Sequence, residues 1–217
     1  PNNIVGMAKL LGYEIIALTD HNSCLNTPAA VKAGEKLGIT VVPGMELETA
    51  EEAHFVCLFP TLEKAAGFNS WLDRYRLPIK NKPKIFGDQL YLNEKDELTG
   101  TEELLLVTAA SCSIYDAAPA AQSFGAVVVP AHVDKTAYSV ISNLGTVPED
   151  LDFTTVELSK NTSKEEALLK FPFLSKYRII TNSDSHYLDS FYETQNPIDL
   201  EEPTAAALIK KLSSPLD

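Results

Sequence analysis

The chain contains four histidines, His21, His54, His132 and His186. Three of them stand just past short apolar runs, in ALTDH, VVVPAH and IITNSDSH. Carboxylates keep them company. Asp20 adjoins His21, Asp184 comes shortly before His186, and Glu46 ends TVVPGME. Neutral imidazoles and carboxylates are ligands for Zn²⁺, Mn²⁺ or Fe, and one carboxylate can bridge two ions. Such an ion lowers the pKa of bound water, supplies hydroxide near neutral pH and neutralises phosphate oxygens. A single histidine at a strand end is ordinarily a hydrogen-bonded surface group. The argument for more is that the histidines follow one rule, with none clearly on a helix. Nucleophile chemistry fits less well. Ser183 and Ser185 flank Asp184, but no GxSxG elbow is present. Cys24 reads as a small, half-buried residue. No GxGxxG or GxxxxGKS/T motif follows any apolar run, which weakens a nucleotide-binding reading.

The elements that must position these groups alternate. Strands are expected at 14–18, 39–42, 54–58, 126–130, 154–158 and 178–182. Helices are expected from Asn2-Asn3 (as caps) to Gly12, over 27–37, 62–75, 102–110, 114–124, 136–143 and 164–170, and over 204–212. Residues 78–100 break this rhythm and read as an insertion or lid, with a hairpin around Asn93 to Asp96. Alternating strands and helices predict βα units with parallel strands, either an open doubly wound sheet or a closed barrel. Functional groups in such folds gather at the C-terminal strand edge. His54 opens its strand, so it reaches that edge only if the segment from Glu46 to His54 departs from this pattern.

Composition narrows the function. The 217 residues fit one domain, and 45% hydrophobic content is enough for a sizeable core. The net charge of −12 disfavours a long nucleic acid as partner, while a small anion held locally is compatible with it. The three cysteines, with no CxxC spacing, point to reduced thiols and a cytoplasmic location. No membrane span or signal peptide is visible. The chain opens at Pro1 without Met, so a fragment or processed form is expected.

With these residues in view, the sequence resembles the PHP family, the polymerase and histidinol phosphatase domains. It is most similar to the stand-alone phosphoesterases of that family. The resemblance rests on ALTDHNS, PGMELET followed by the histidine of HFVCLF, PAHVDK and TNSDSH, in that order. It implies a distorted (β/α)7 barrel covering 1–217 as a single domain. The family's first motif, His-x-His on the first strand, has no counterpart, so that strand is expected to be missing. The resemblance further implies up to three divalent ions, Zn, Mn or Fe. One would be held by Glu46, His54 and His132, a second would use Glu46 and Asp184, and a third His21 and His186. Asp20 is assigned a proton-handling role behind the ligands. Lys135 stands near the family's phosphate-contacting arginine, as a point charge without arginine's fork. Solvated loop is the favoured reading of Lys80, Lys82 and Lys84. Glu157 is either a partner of the ligands or a strand-end charge.

The expected function is a metal-dependent phosphoric ester hydrolase acting on a small phosphorylated substrate by attack of metal-bound hydroxide. The alternatives are a PHP-like domain that binds metal or a partner without catalysis, an exonuclease or polymerase accessory domain, and a metal-dependent amidohydrolase. Substrate, native metal and oligomeric state are not set by the sequence.

Overall fold

The computed structural model describes residues 1–191 and 197–216. The chain opens on α1 (Asn2–Leu10), passes Gly12 in the left-handed region (φ 81°), and enters β1 (Ile15–Leu18). Asn2 and Asn3 were expected to cap α1 with their side chains. Instead their N–H groups donate to the Asp96 carboxylate, at 2.7 and 3.0 Å. Then α2 (Thr27–Leu37) starts with proline in its first turn and ends at Gly38, φ 66°. Packing is close there: a Cβ on Gly34 would lie 2.6 Å from the Ile39 carbonyl oxygen.

The next strand, β2 (Thr40–Glu48), is far longer than the expected 39–42. It runs parallel to β1 through Pro43 and continues past Gly44. A turn through residues 49–53 leads to β3 (His54–Leu58), which pairs with β2 antiparallel, Glu48 opposite His54 and Glu46 opposite Val56. After α3 (Leu62–Leu72) come the short α4 (Pro83–Phe86) and a hairpin of β4 (Leu90–Leu92) and β5 (Leu98–Thr101), within the segment expected to be an insertion. The expected hairpin is therefore present.

The expected helix at 102–110 is not. Backbone N–H groups there go to distant acceptors: Leu105 to the Ile79 carbonyl at 2.8 Å, Ala110 to that of Glu48 at 2.9 Å. These bonds replace the i→i−4 bonds a helix needs.

The chain continues as α5 (Ile114–Ser123), β6 (Val127–Pro130), α6 (Val140–Leu144), β7 (Thr155–Leu158), α7 (Lys164–Lys170), β8 (Arg178–Thr181) and α8 (Ala205–Ser213). The principal sheet has order β1-β2-β3-β6. Its β2–β3 and β3–β6 pairs are antiparallel, which corrects the all-parallel expectation. β7 and β8 form a separate parallel pair. Among the described residues the strands form no closed ring, so the fold shown is a mixed α/β arrangement.

Strand alternation explains the two faces. Met45, Leu47, Phe55 and Cys57 point into the main core with Phe59, Phe68 and residues of α5. The opposite face carries Val42, Leu58, Val127 and Val129, packed against Leu208, Ile209 and Leu212 of α8. At the upper end of that second face the same alternation places Glu46, Glu48 and His54. An apolar floor therefore ends in a charged rim.

Candidate metal centre

Because β3 reverses direction, its start lies at the edge where β1, β2 and β6 end. This brings His54 to the rim despite its position at the head of a strand. His21 follows β1 and forms an isolated parallel bridge with Glu46. His132 follows β6 and takes a φ of 32°, and Asp184 follows β8 with a φ of 46°. Asn22 and Tyr138, also at this edge, have φ of 49° and 56°. Non-glycine residues are uncommon in this region, and such positions cluster at functional sites.

Glu46 is the hub, 7% exposed. Its Oε1 accepts from His54 Nδ1 at 2.9 Å and lies 3.4 Å from His132 Nε2. Its Oε2 lies 3.6 Å from His21 Nδ1. Burial alone would raise the Glu46 pKa, but the bonds from His132 and His54 hold it well below the usual carboxylate range. The ionised carboxylate only accepts, so the His54 Nδ1 carries the proton. Burial favours neutral His54, yet the bonds to Glu46 and Glu48 prevail and push its pKa up to about 9. Glu48 stands behind it, Oε2 3.7 Å from His54 Nε2. His21 is held down by burial.

Ligand atoms of His21, Glu46 and His54 all lie within 4.8 Å of one another, which suits one small cation. A second observation tests the fit. The Nδ1 atoms of His21 and His132 are buried without a hydrogen-bond partner. Buried polar atoms normally find one, and the His21 Nδ1, which faces the Glu46 carboxylate at 3.6 Å, is placed as a divalent ion would use it, whereas His132 turns its Nε2 to Glu46. The residues present therefore fit a metal. The compact donor set contains His21 rather than the His132 that the resemblance implies, and His132 joins it through Glu46.

The remaining expected residues lie around this set. His186 is largely exposed, its ring 5.9 Å from that of His21, and its Nδ1 is 3.7 Å from Asp184 Oδ1. Asp184 pairs with Lys135 at 2.7 Å. Asp20 is set apart. Its carboxylate accepts from Asn26 Nδ2 at 3.1 Å, and burial raises its pKa. Only its backbone serves the hub, through the Glu46 N–H bond to the Asp20 carbonyl at 3.1 Å.

Two contributors were undervalued by sequence reasoning. The buried Asn22 donates its amide to the Leu106 and Thr108 carbonyls and accepts from the Glu48 N–H. It thereby ties the segment that follows the hairpin to β2, and its place directly after TDH was the available signal. Glu157 is buried and accepts from Asn182 Nδ2 at 2.6 Å, while its carbonyl accepts from the Val133 N–H at 2.8 Å. It thus ties together the loops that carry His132 and Asp184. Burial pushes its carboxyl up to about 7.

Comparison with known proteins decides the family. The PHP domain model matches residues 1–202. This chain belongs to the PHP domain family. An uncharacterized protein of Methanocaldococcus jannaschii is 39% identical over 51 residues, which is 24% of this PHP chain and 30% of that protein. The lesion-specific endonuclease EndoQ of Pyrococcus furiosus shares the fold with a TM-score of 0.68 at 16% identity, over 98% of this chain and 50% of the endonuclease. A Bifidobacterium adolescentis protein provisionally described as a metal-dependent phosphoesterase gives 0.59 at 16% identity, over 96% and 89%. The chain spans half the length of the endonuclease and less of the archaeal relative. Family membership with such neighbours supports a metal-dependent hydrolase.

Proposed function

We propose that this chain is a metal-dependent phosphoesterase that acts on a small phosphate ester. The observation that carries the reading is the convergence of His21, Glu46 and His54 donor atoms within 4.8 Å at the strand edge. A divalent ion bound there, Zn, Mn or Fe, would supply Lewis acidity toward a phosphoryl oxygen and a lowered water pKa. His132, Asp184 and His186 are proposed to extend the donor set to as many as three ions.

The chain's own residues do the rest. Glu46 orients the imidazoles of His54 and His132. Glu157, whose carboxyl is pushed up by burial, is proposed to hold a proton beside the ligand loops. Lys135 is proposed to reach the phosphate as a point charge. Asp20 is proposed to steady the entrance through Asn26, which bonds the β4 backbone at Leu90 and Leu92, and to handle protons there. The reading takes the strands as part of a distorted (β/α)7 barrel, supported by the Val133–Glu157 bond that carries the curve from β6 to β7. No helix among the described residues is long and apolar enough to cross a membrane, and the free cysteines support a cytoplasmic location.

A second reading, cleavage of a phosphodiester in a nucleic acid, is favoured by the exposed Lys80, Lys82 and Lys84 on the insertion. One experiment separates the two. The full chain, stripped of metal and reloaded with Mn²⁺ or Zn²⁺, is assayed on a phosphomonoester panel and on oligonucleotides. Turnover of monoesters is expected. Cleavage of oligonucleotides alone would select the second reading, and turnover of neither would overturn both.

A further inference from the structure

Asp184 is engaged by a cation of the chain's own. Lys135 Nζ lies 2.7 Å from Asp184 Oδ2, and the side chains are 39% and 27% exposed. The backbone beneath the lysine is fixed. The Lys135 N–H donates to the His132 carbonyl at 2.9 Å, and its carbonyl accepts from Ser139 Oγ at 2.7 Å. The ammonium on its flexible stem, by contrast, has room to leave. Asp184 is likewise set in place, with a φ of 46° and the Asn182–Glu157 bond beside it. Glu46, by comparison, is faced by histidines alone among the described ion pairs.

An ammonium and a divalent ion compete for the same carboxylate oxygen, because both are cations and the lone pairs are shared. We infer that Lys135 is an exchangeable counterion, which neutralises Asp184 until a divalent ion takes that carboxylate and then turns, released, to the phosphate of the substrate. This rests on the metal-dependent reading above and adds an order to it: metal first, phosphate second. It also accounts for a lysine, whose single charge moves freely, where a guanidinium would hold the carboxylate by two bonds.

Two measurements on the full chain test this. The first is calorimetric titration with Mn²⁺ of the wild type and of Lys135→Met. The variant is expected to bind about two- to fivefold tighter, the size of a partly exposed ion pair. The second is acetylation footprinting by mass spectrometry, with Lys210 as the exposed reference. Lys135 is expected to become several times more reactive when Mn²⁺ is added, and equally reactive without metal in Asp184→Asn. Mn²⁺ binding with unchanged Lys135 reactivity and equal affinity in Lys135→Met would overturn this inference alone. Absence of Mn²⁺ binding in both proteins would overturn the metal reading and this inference together.

Discussion

The two ends of the principal sheet offer opposite kinds of space. At the N-terminal edge a cleft of about 620 Å³ opens between α1, α2 and the starts of β1 and β2, lined by Lys9, Tyr13, Glu14, Glu35 and Thr40. At the C-terminal edge stands a knot of imidazoles and carboxylates. In the cleft, Lys9 Nζ is already bonded to the Gly38 carbonyl at 3.2 Å. The cleft also sits where α1 and α2 end, and helix C-termini repel anions. α2 begins at the other edge, where its dipole favours them. The cleft therefore lies at the end of the sheet that disfavours an anion. The candidate donor group and the unpartnered histidine nitrogen atoms lie at the other end.

The comparison can be broken or sharpened in order of expected effect. Glu46→Gln removes the hub charge and should weaken Mn²⁺ binding by more than about 100-fold, read by titration, with the proposed phosphoesterase activity falling in step. An unchanged affinity would move the site away from this edge.

The rim should also make the metal-free fold pH-dependent. The His54 pKa is raised on folding to about 9, so its contribution is fully present below the unfolded value near 6.5. It is lost as pH rises through about 9, on the order of 2–3 kcal/mol. Urea melts of metal-free protein between pH 6.5 and 9.5 should show this loss, and His54→Gln should flatten it. A rise in stability over that window would contradict the charged His54–Glu46 pair.

Gly44 lies beneath the rim, where a Cβ would meet Thr19 Cγ2 at 2.7 Å and the Leu18 carbonyl oxygen at 3.0 Å. Gly44→Ala should cost about 1–3 kcal/mol by overpacking, measured by urea unfolding. Equal stability would mean β1 and β2 can separate more easily than the packing indicates. Smallest of all, Glu35→Gln in the N-terminal cleft should leave Mn²⁺ affinity unchanged and stability within about 0.5 kcal/mol. A large loss of activity there would reverse the assignment of the two edges.

Most strands were legible because apolar runs of four or five residues between turn signals have few other uses. The direction of β3 was not, since periodicity carries no sign and a short antiparallel return reads the same as a βα strand. The expected strand stopped at 42, short of Pro43 and Gly44, and so missed the second half of β2. Glu102 to Leu106 has helix-forming residues, but Asn22, Gln89 and Ile79 claim that segment through tertiary bonds. At the centre, residue types and order singled out His21, Glu46, His132, Asp184 and His186, and the family resemblance added His54. That Asp20 faces Asn26, and that Glu157 joins two loops, depends on backbone turns no spacing rule encodes.

The reversal at residues 49–53 has a further consequence, in time rather than space. Glu46 and His54 sit on one hairpin, close in sequence, so closing it requires little loop entropy and hairpins form within microseconds. Asp184 and His186 come from the far end of the chain and must await its collapse. The donor pair at the heart of the centre is thus expected to assemble early, with the outer groups arriving around a nucleus already built.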